Sequence, residues 1–379
     1  MRDKFLLRDD IIYLNHGSFG ATPRYIFDKY IELQRELESE PCEFLLRRGS
    51  GLLKEARLLL SGFLNCDASD IVAVHNATTA VNIVARSIEL GPGDEVLTTN
   101  HEYGACDRVF RYLSRKEGFN YRRVEIKTPL PGSAEFVDTV SSAFTERTRL
   151  LFLSHITSPT GLVFPVEEVI QLARERGILT LIDGAHVPGH IELDLRALKP
   201  DFYTGNLYKW LLTPKGSAFL YADKGVQDLL EPLVVSWGYE PEEPGESYFQ
   251  DLFEWQGTDD ICPFLSVKAA LEFRNEHNLP ELQKECRRVI LALAERIRSE
   301  LGFSLLFTDE SQLGQMLAFE LPAGSDPKAI QDELFYHDKI EIPARLWEGC
   351  PVMRVSYHVY NSPEDLDKLI EALKRVGRG

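Results

Sequence analysis

Lys209 stands between Tyr208 and Trp210 in the run YTGNLYKWLLTPKG, Tyr203 to Gly216, where charge is otherwise almost absent. A lysine on a solvated face keeps its ammonium in water. Among aromatic and aliphatic neighbours the ammonium is disfavoured, its pKa falls, and the free amine becomes a nucleophile toward a carbonyl. One strand-like run earlier, in ILTLIDGAHVPG, Asp183 follows five residues of which four are apolar. That pattern predicts a buried strand with the carboxylate at its C-terminal end, where α/β proteins bind ligands. A carboxylate there is costly without a partner, and its sequence neighbours offer no cation. A third stretch, HNATTAVN (His75–Asn82), reads as a strand-to-helix junction with Ala77, Thr78 and Thr79 at the helix start. Unpaired amides and hydroxyls at such a start favour a phosphate.

Each feature alone has an ordinary explanation: a snorkelling lysine, a turn aspartate, an asparagine helix cap. Together they match what pyridoxal phosphate needs, which is an amine for its aldehyde, an acid for its ring nitrogen and a cradle for its phosphate.

The elements that must position these groups follow from periodicity. Between about Ser50 and Val235 short apolar runs alternate with helical patterns. Strands are expected at DIVAVH, EVLTTN, RTRLLFLSHI, ILTLIDGAH, DFYTGN and SAFLYAD, and helices at TTAVNIVARSIEL and VEEVIQLARERG. Continuous apolar strands separated by helices indicate an α/β domain, a mostly parallel mixed sheet covered by helices on both faces. After WQGTDD two long helical stretches, about Pro263–His277 and Pro280–Leu301, precede strands at FSLLF, MLAFEL, IEIPAR and VMRVSYH, the pattern of a smaller α+β C-terminal domain. The expected division is an N-terminal segment 1–20 without periodicity, a large domain 21–261 and a small domain 262–379. At 379 residues more than one hydrophobic centre is expected.

With 44% hydrophobic and 27% charged residues the chain is an ordinary globular one, and its formal charge of -17 disfavours nucleic-acid and anionic-membrane partners. No apolar run approaches a membrane span and the first residues lack a signal-peptide core, so a cytoplasmic location is expected. The six cysteines and nine histidines show no metal-ligand spacing, and no GxGxxG follows a strand, which weakens a dinucleotide reading.

In order along the chain, YLNHGSFGATPR, NATTAVN, NHEYGA, SHITSPTGLVFP, IDGAHVPG, YKWLLTPKGSAFLY, WQGTDD and MRVSYHVYN resemble the class V aminotransferase group of fold type I pyridoxal phosphate enzymes. Within that group the resemblance is to the isopenicillin N epimerase-like branch, which is related to cysteine desulfurases. It implies that Lys209 binds the cofactor covalently, Asp183 faces the ring nitrogen and His186 faces the ring hydroxyl, with Ser158 as helper. Thr78, Thr79, Asn206 and Tyr208 would hold the phosphate, completed by Thr258 from a second subunit of a homodimer. Arg354 would clamp the substrate α-carboxylate, for which a guanidinium fork is suited. Tyr103 would pack over the ring and exchange a proton, His101 being its competitor for stacking, and Asn15 and His16 would reach in as a substrate-side loop.

The expected substrate is an amino acid whose side chain the residues do not specify, and such a cofactor permits racemisation, elimination or transamination. Branch resemblance ranks epimerase-like chemistry first, a carbon-sulfur lyase second and transamination third. Desulfurases of this fold carry a mobile-loop cysteine ahead of the carboxylate-binding arginine. Here Cys350 lies four residues before Arg354 in an apolar setting, too close for that role. A non-catalytic binding protein on the same fold is the rival from another class, disfavoured by the joint presence of Lys209, Asp183 and Arg354.

Overall fold

The computed structural model describes residues 1–376. Its strands are β1 (Ile12–Tyr13), β2 (Ile71–Val74), β3 (Glu95–Thr99), β4 (Asn120–Val124), β5 (Thr148–Ser154), β6 (Leu179–Asp183), β7 (Phe202–Asn206), β8 (Ala218–Ala222), β9 (Met316–Glu320), β10 (Ile340–Glu341), β11 (Ala344–Trp347) and β12 (Cys350–Ser356). Seven of them form one sheet in the order β2-β8-β7-β6-β5-β3-β4. β8 runs antiparallel to both neighbours and the other pairings are parallel. Every strand of this sheet except β8 therefore ends on the same edge. The chain steps from β3 to β4 on one side and resumes at β5 on the other, a switch point of the kind at which α/β sheets hold ligands.

The apolar runs become central strands because both faces are covered. Along β5, Leu150 and Phe152 pack into one core with Val81, Val84, Phe110 and Phe253. The alternate residues, Leu151 and Leu153, pack into the other with Leu60, Phe136, Val169 and Phe273. This is the period-two alternation of a strand between two helical layers. Helices Ala77–Ser87 and Gly104–Glu117 supply the first layer, Gly49–Leu64 and Val166–Glu175 part of the second. A separate antiparallel sheet, β11-β12-β9, packs against Leu279–Arg296 and the C-terminal helix that begins at Pro363.

Three local expectations change. The N-terminal segment is structured: β1 pairs in parallel with β10, Ile12 opposite Ile340, and His16–Phe19 forms one helical turn. Its partner lies more than 300 residues away, so no local period could announce it. FSLLF is not a strand; Leu305 and Phe307 make single bridges to Phe319 and Leu130. IEIPAR is divided between β10 and β11. Among the described residues no helix is long and apolar enough to cross a membrane.

Candidate active site

The segments that follow β2, β3, β5, β6 and β7 converge on the shared edge around a cavity of about 640 Å³. Asp183 closes β6 and is buried. Its Oδ1 accepts the Ala185 N–H at 2.9 Å, and the Cys106 thiol lies 3.8 Å from Oδ2. Burial raises its pKa, opposed by the Ala185 amide and the nearby Lys209 charge. Beneath it Glu102, also buried, accepts from Thr99 Oγ1 at 2.7 Å and Ser154 Oγ at 2.6 Å. Burial pushes that carboxyl up to about 7.

Lys209 lies in the single helical turn Leu207–Trp210 directly after β7. Its ammonium is pulled down to about 7, first by burial and then by the charge of Arg354. Nζ is 3.1 Å from Nε2 of His186, which is buried and held well below the ordinary histidine range by burial and by the charges of Lys209 and Arg354. The imidazole is thus neutral and able to share a hydrogen bond with the amine.

At the start of helix Ala77–Ser87, Asn76 Oδ1 accepts the Thr79 N–H at 2.9 Å, and Asn206 Oδ1 accepts the Ala77 N–H at 2.8 Å. The asparagines consume two of the turn's free amides, and Asn76 Oδ1 also accepts the Thr79 hydroxyl at 3.2 Å, leaving the Thr78 amide, the Thr78 hydroxyl and Asn206 Nδ2 for a ligand. Tyr208 lines the same end, its phenol raised to about 12 by burial.

Arg354 enters from β12 and is fully buried. Nη1 donates to the Ser158 carbonyl and Nη2 to Ser18 Oγ at 3.3 Å, while Nε is buried without a partner. Burial, then the charge of Arg345, draws the guanidinium down to about 9.

Lys209, Tyr103, Asp183, His186, Thr78, Thr79, Asn206, Tyr208, Ser158 and Arg354 all line this one cavity. The other candidates do not. His101 is buried between Phe164 and Trp347 and bonded to Thr160 Oγ1 and the Ile126 carbonyl, whereas Tyr103 is 43% exposed and lines the cavity. Asn15 and His16, expected as a substrate-side loop, are placed outside the cavity wall: Asn15 bonds to Glu341, and His16 to Tyr360 and the Lys209 carbonyl, while Gly17, Ser18 and Phe19 line it. Thr258 lies in an adjacent cleft that shares Thr79. Cys350 is exposed in the β11–β12 hairpin. Glu102, Cys106, Ser154 and Arg345 belong to the site but were not anticipated; for Arg345 the available signal was its place on a strand beside that of Arg354.

These residues suit pyridoxal phosphate. An underpartnered buried carboxylate fits a protonated ring nitrogen, an amine near neutrality fits an aldehyde, and helix-start donors fit a phosphate.

Known proteins resemble this chain over nearly its whole length. The chain is 36% identical to isopenicillin N epimerase of Streptomyces clavuligerus, covering 98% of this chain and 96% of that one. It is 27% identical to hercynylcysteine sulfoxide lyase of Schizosaccharomyces pombe over 99% and 96%. A lysine-to-alanine mutant of C-DES, with glycine covalently linked to its pyridoxal phosphate, superposes with a TM-score of 0.87 at 22% identity, covering 98% of each chain. The aminotransferase class-V profile matches residues 34–369. The chain belongs to the aminotransferase class-V family of pyridoxal phosphate-dependent enzymes.

Proposed function

We propose that the protein removes and returns a proton at the α-carbon of an amino acid, with epimerisation as the outcome. The observation that carries this is a buried Lys209 amine, with a pKa of about 7, sharing its cavity with a second proton-carrying group, the Tyr103 phenol. When bound, the cofactor withdraws electrons from the substrate α-carbon and so acidifies its proton. Lys209 Nζ, uncharged in a large fraction of molecules at neutral pH, takes that proton, and His186 Nε2 holds the amine in place. Tyr103 delivers a proton to the other face, and its ring packs over the cofactor.

Asp183 holds the ring nitrogen protonated, with Glu102 and Cys106 behind it, and His186 with Ser158 serves the ring hydroxyl. Thr78, Thr79, Asn206 and Tyr208 hold the phosphate. Arg354 holds the substrate α-carboxylate, where its buried and unpartnered Nε adds a donor to the fork. Thr258 serves the phosphate of a second subunit, which makes the working form a homodimer.

The lyase relatives, alike over nearly the whole chain, favour one second reading. In it the same lysine takes the α-proton and Tyr103 protonates a departing sulfur. Incubating holoenzyme in deuterated water with L- and D-amino acids and cysteine conjugates separates the two. Inversion with deuterium at the α-carbon supports epimerisation. Pyruvate and ammonia without inversion would replace it with elimination. Protein that stays colourless with added pyridoxal phosphate would defeat both.

A further inference from the structure

Arg345 carries the second guanidinium of the cavity. In the β11–β12 pair Arg345 lies opposite Val352, so it shares a face with Val352 and, two positions along the same strand, Arg354. Antiparallel register thus aims two arginines into one cavity as diagonal neighbours, about 7–8 Å apart at the backbone. Among the described residues, the acidic groups that act on the pair are phenols, Tyr103 on Arg345 and Tyr13 on Arg354. Among the described residues the one carboxylate lining the cavity is Asp183, at the end of β6. The positive charge of Arg345 is felt by Arg354 and His186. One guanidinium suffices for an α-carboxylate, and a second desolvated one without an anion is costly to maintain.

We propose that Arg345 is a substrate-specificity residue that binds a carboxylate on the substrate side chain, so that the cavity selects α-amino acids bearing a second acid group. The inference rests on the assignment of Arg354 to the α-carboxylate. Tyr103, which acts on Arg345, lies beside the distal acid, and the planar fork of arginine suits a bidentate grip there.

The test titrates holoenzyme with matched pairs, L-glutamate against L-glutamine and L-aspartate against L-asparagine, following the visible band of the bound cofactor. At least one acid should bind about ten- to a hundredfold tighter than its amide, the scale of one charged hydrogen-bonded contact. Arg345→Met should bring that ratio to about one, and Arg345→Lys should leave an intermediate ratio, since it keeps the charge without the fork. Equal affinities in the unsubstituted protein overturn the proposal, as does a ratio that survives in Arg345→Met. Loss of cofactor uptake in both variants would assign Arg345 to the cofactor instead. If no amino acid perturbs the band, the α-carboxylate assignment fails and this one with it, an outcome distinct from equal responses to acid and amide.

Discussion

Replacing Asp183 with asparagine should move stability and function in opposite directions. The substitution keeps shape and removes a carboxylate that is buried, touched by one backbone N–H and one thiol, and raised in pKa by its burial. The sign follows from linkage. A carboxyl whose folded pKa lies above its unfolded value costs nothing at low pH, where both states are protonated. It costs stability as the unfolded chain ionises first, and imposes the full penalty above the folded pKa. In the cofactor-free protein at pH 8 asparagine removes that penalty, so the apoprotein should melt higher than the unsubstituted one. With cofactor the carboxylate gains a cation, and removing one member of a buried charged pair costs about 3–5 kcal/mol, or about two to four decades in an equilibrium or rate. Thermal melts of the two apoproteins and α-deuterium exchange by the two holoenzymes measure both halves. An apoprotein that melts lower, together with exchange within about threefold of normal, would refute the argument that this carboxylate is held in readiness for a positive ring.

Three further outcomes follow from the same geometry. Because the Lys209 ammonium is pulled down to about 7, apoprotein should capture pyridoxal phosphate at a rate that rises with pH to a plateau with a midpoint near 7; a rise continuing past pH 9 would mean an ordinary lysine. Gly20 has φ +68°, and a Cβ there would meet the Tyr208 carbonyl oxygen and, at 3.0 Å, the Lys209 Cα, so Gly20→Ala should weaken cofactor binding by about tenfold or more as the lysine turn shifts, measured by cofactor titration. Burial holds His101 and His155 at about 4 and His190 and His358 at about 3, below the unfolded value, so the unfolded chain takes up protons first as pH falls through 6.5. Each histidine removes about 1.4 kcal/mol per pH unit between its two pKa values, and Glu102, raised to about 7, offsets one of them. Urea midpoints should therefore drop steeply from pH 6.5 to 5, and a flat profile would show that these rings are not buried neutral.

Much of the site was legible in sequence because its chemistry sits at strand ends, and strands announce themselves by apolar runs. Asp183 ends LTLID and Lys209 follows FYTGN, so reading the strands also located the groups at their C-terminal edge. The placement of His16 was not legible, for the opposite reason. Its segment has no period, and what fixes it is a fully non-local setting: stacking on His358 at 4.1 Å and a bond to the carbonyl of Lys209 itself. The histidine supports the lysine turn from behind, and a sequence cannot say from which side a loop residue approaches. The acid beneath Asp183 was hidden similarly, since Glu102 reads as one more polar residue of a loop until Thr99 and Ser154 are seen to close around it.

The small antiparallel sheet contributes the two guanidinium groups of the cavity. The parallel sheet supplies the buried acid, the amine and the helix-start donors, which in the proposed roles would serve any reaction the cofactor allows. The β11–β12 pair supplies Arg345 and Arg354, and their relation is set by register. A slip of one residue in that pairing would turn a guanidinium to the opposite face. The register is held on the other side of β12 by β9, where Arg354 pairs with Ala318, and at the strand's end by the Ser356 amide bonded to the Leu14 carbonyl. The N-terminal segment beside β1 therefore supports the cavity without lining it through Asn15 or His16. It fixes the end of β12, places Ser18 Oγ on Arg354 and seats Gly20 against the Lys209 backbone. One segment thus touches both the Lys209 turn and Arg354, through residues of the aperiodic run YLNHGSFG.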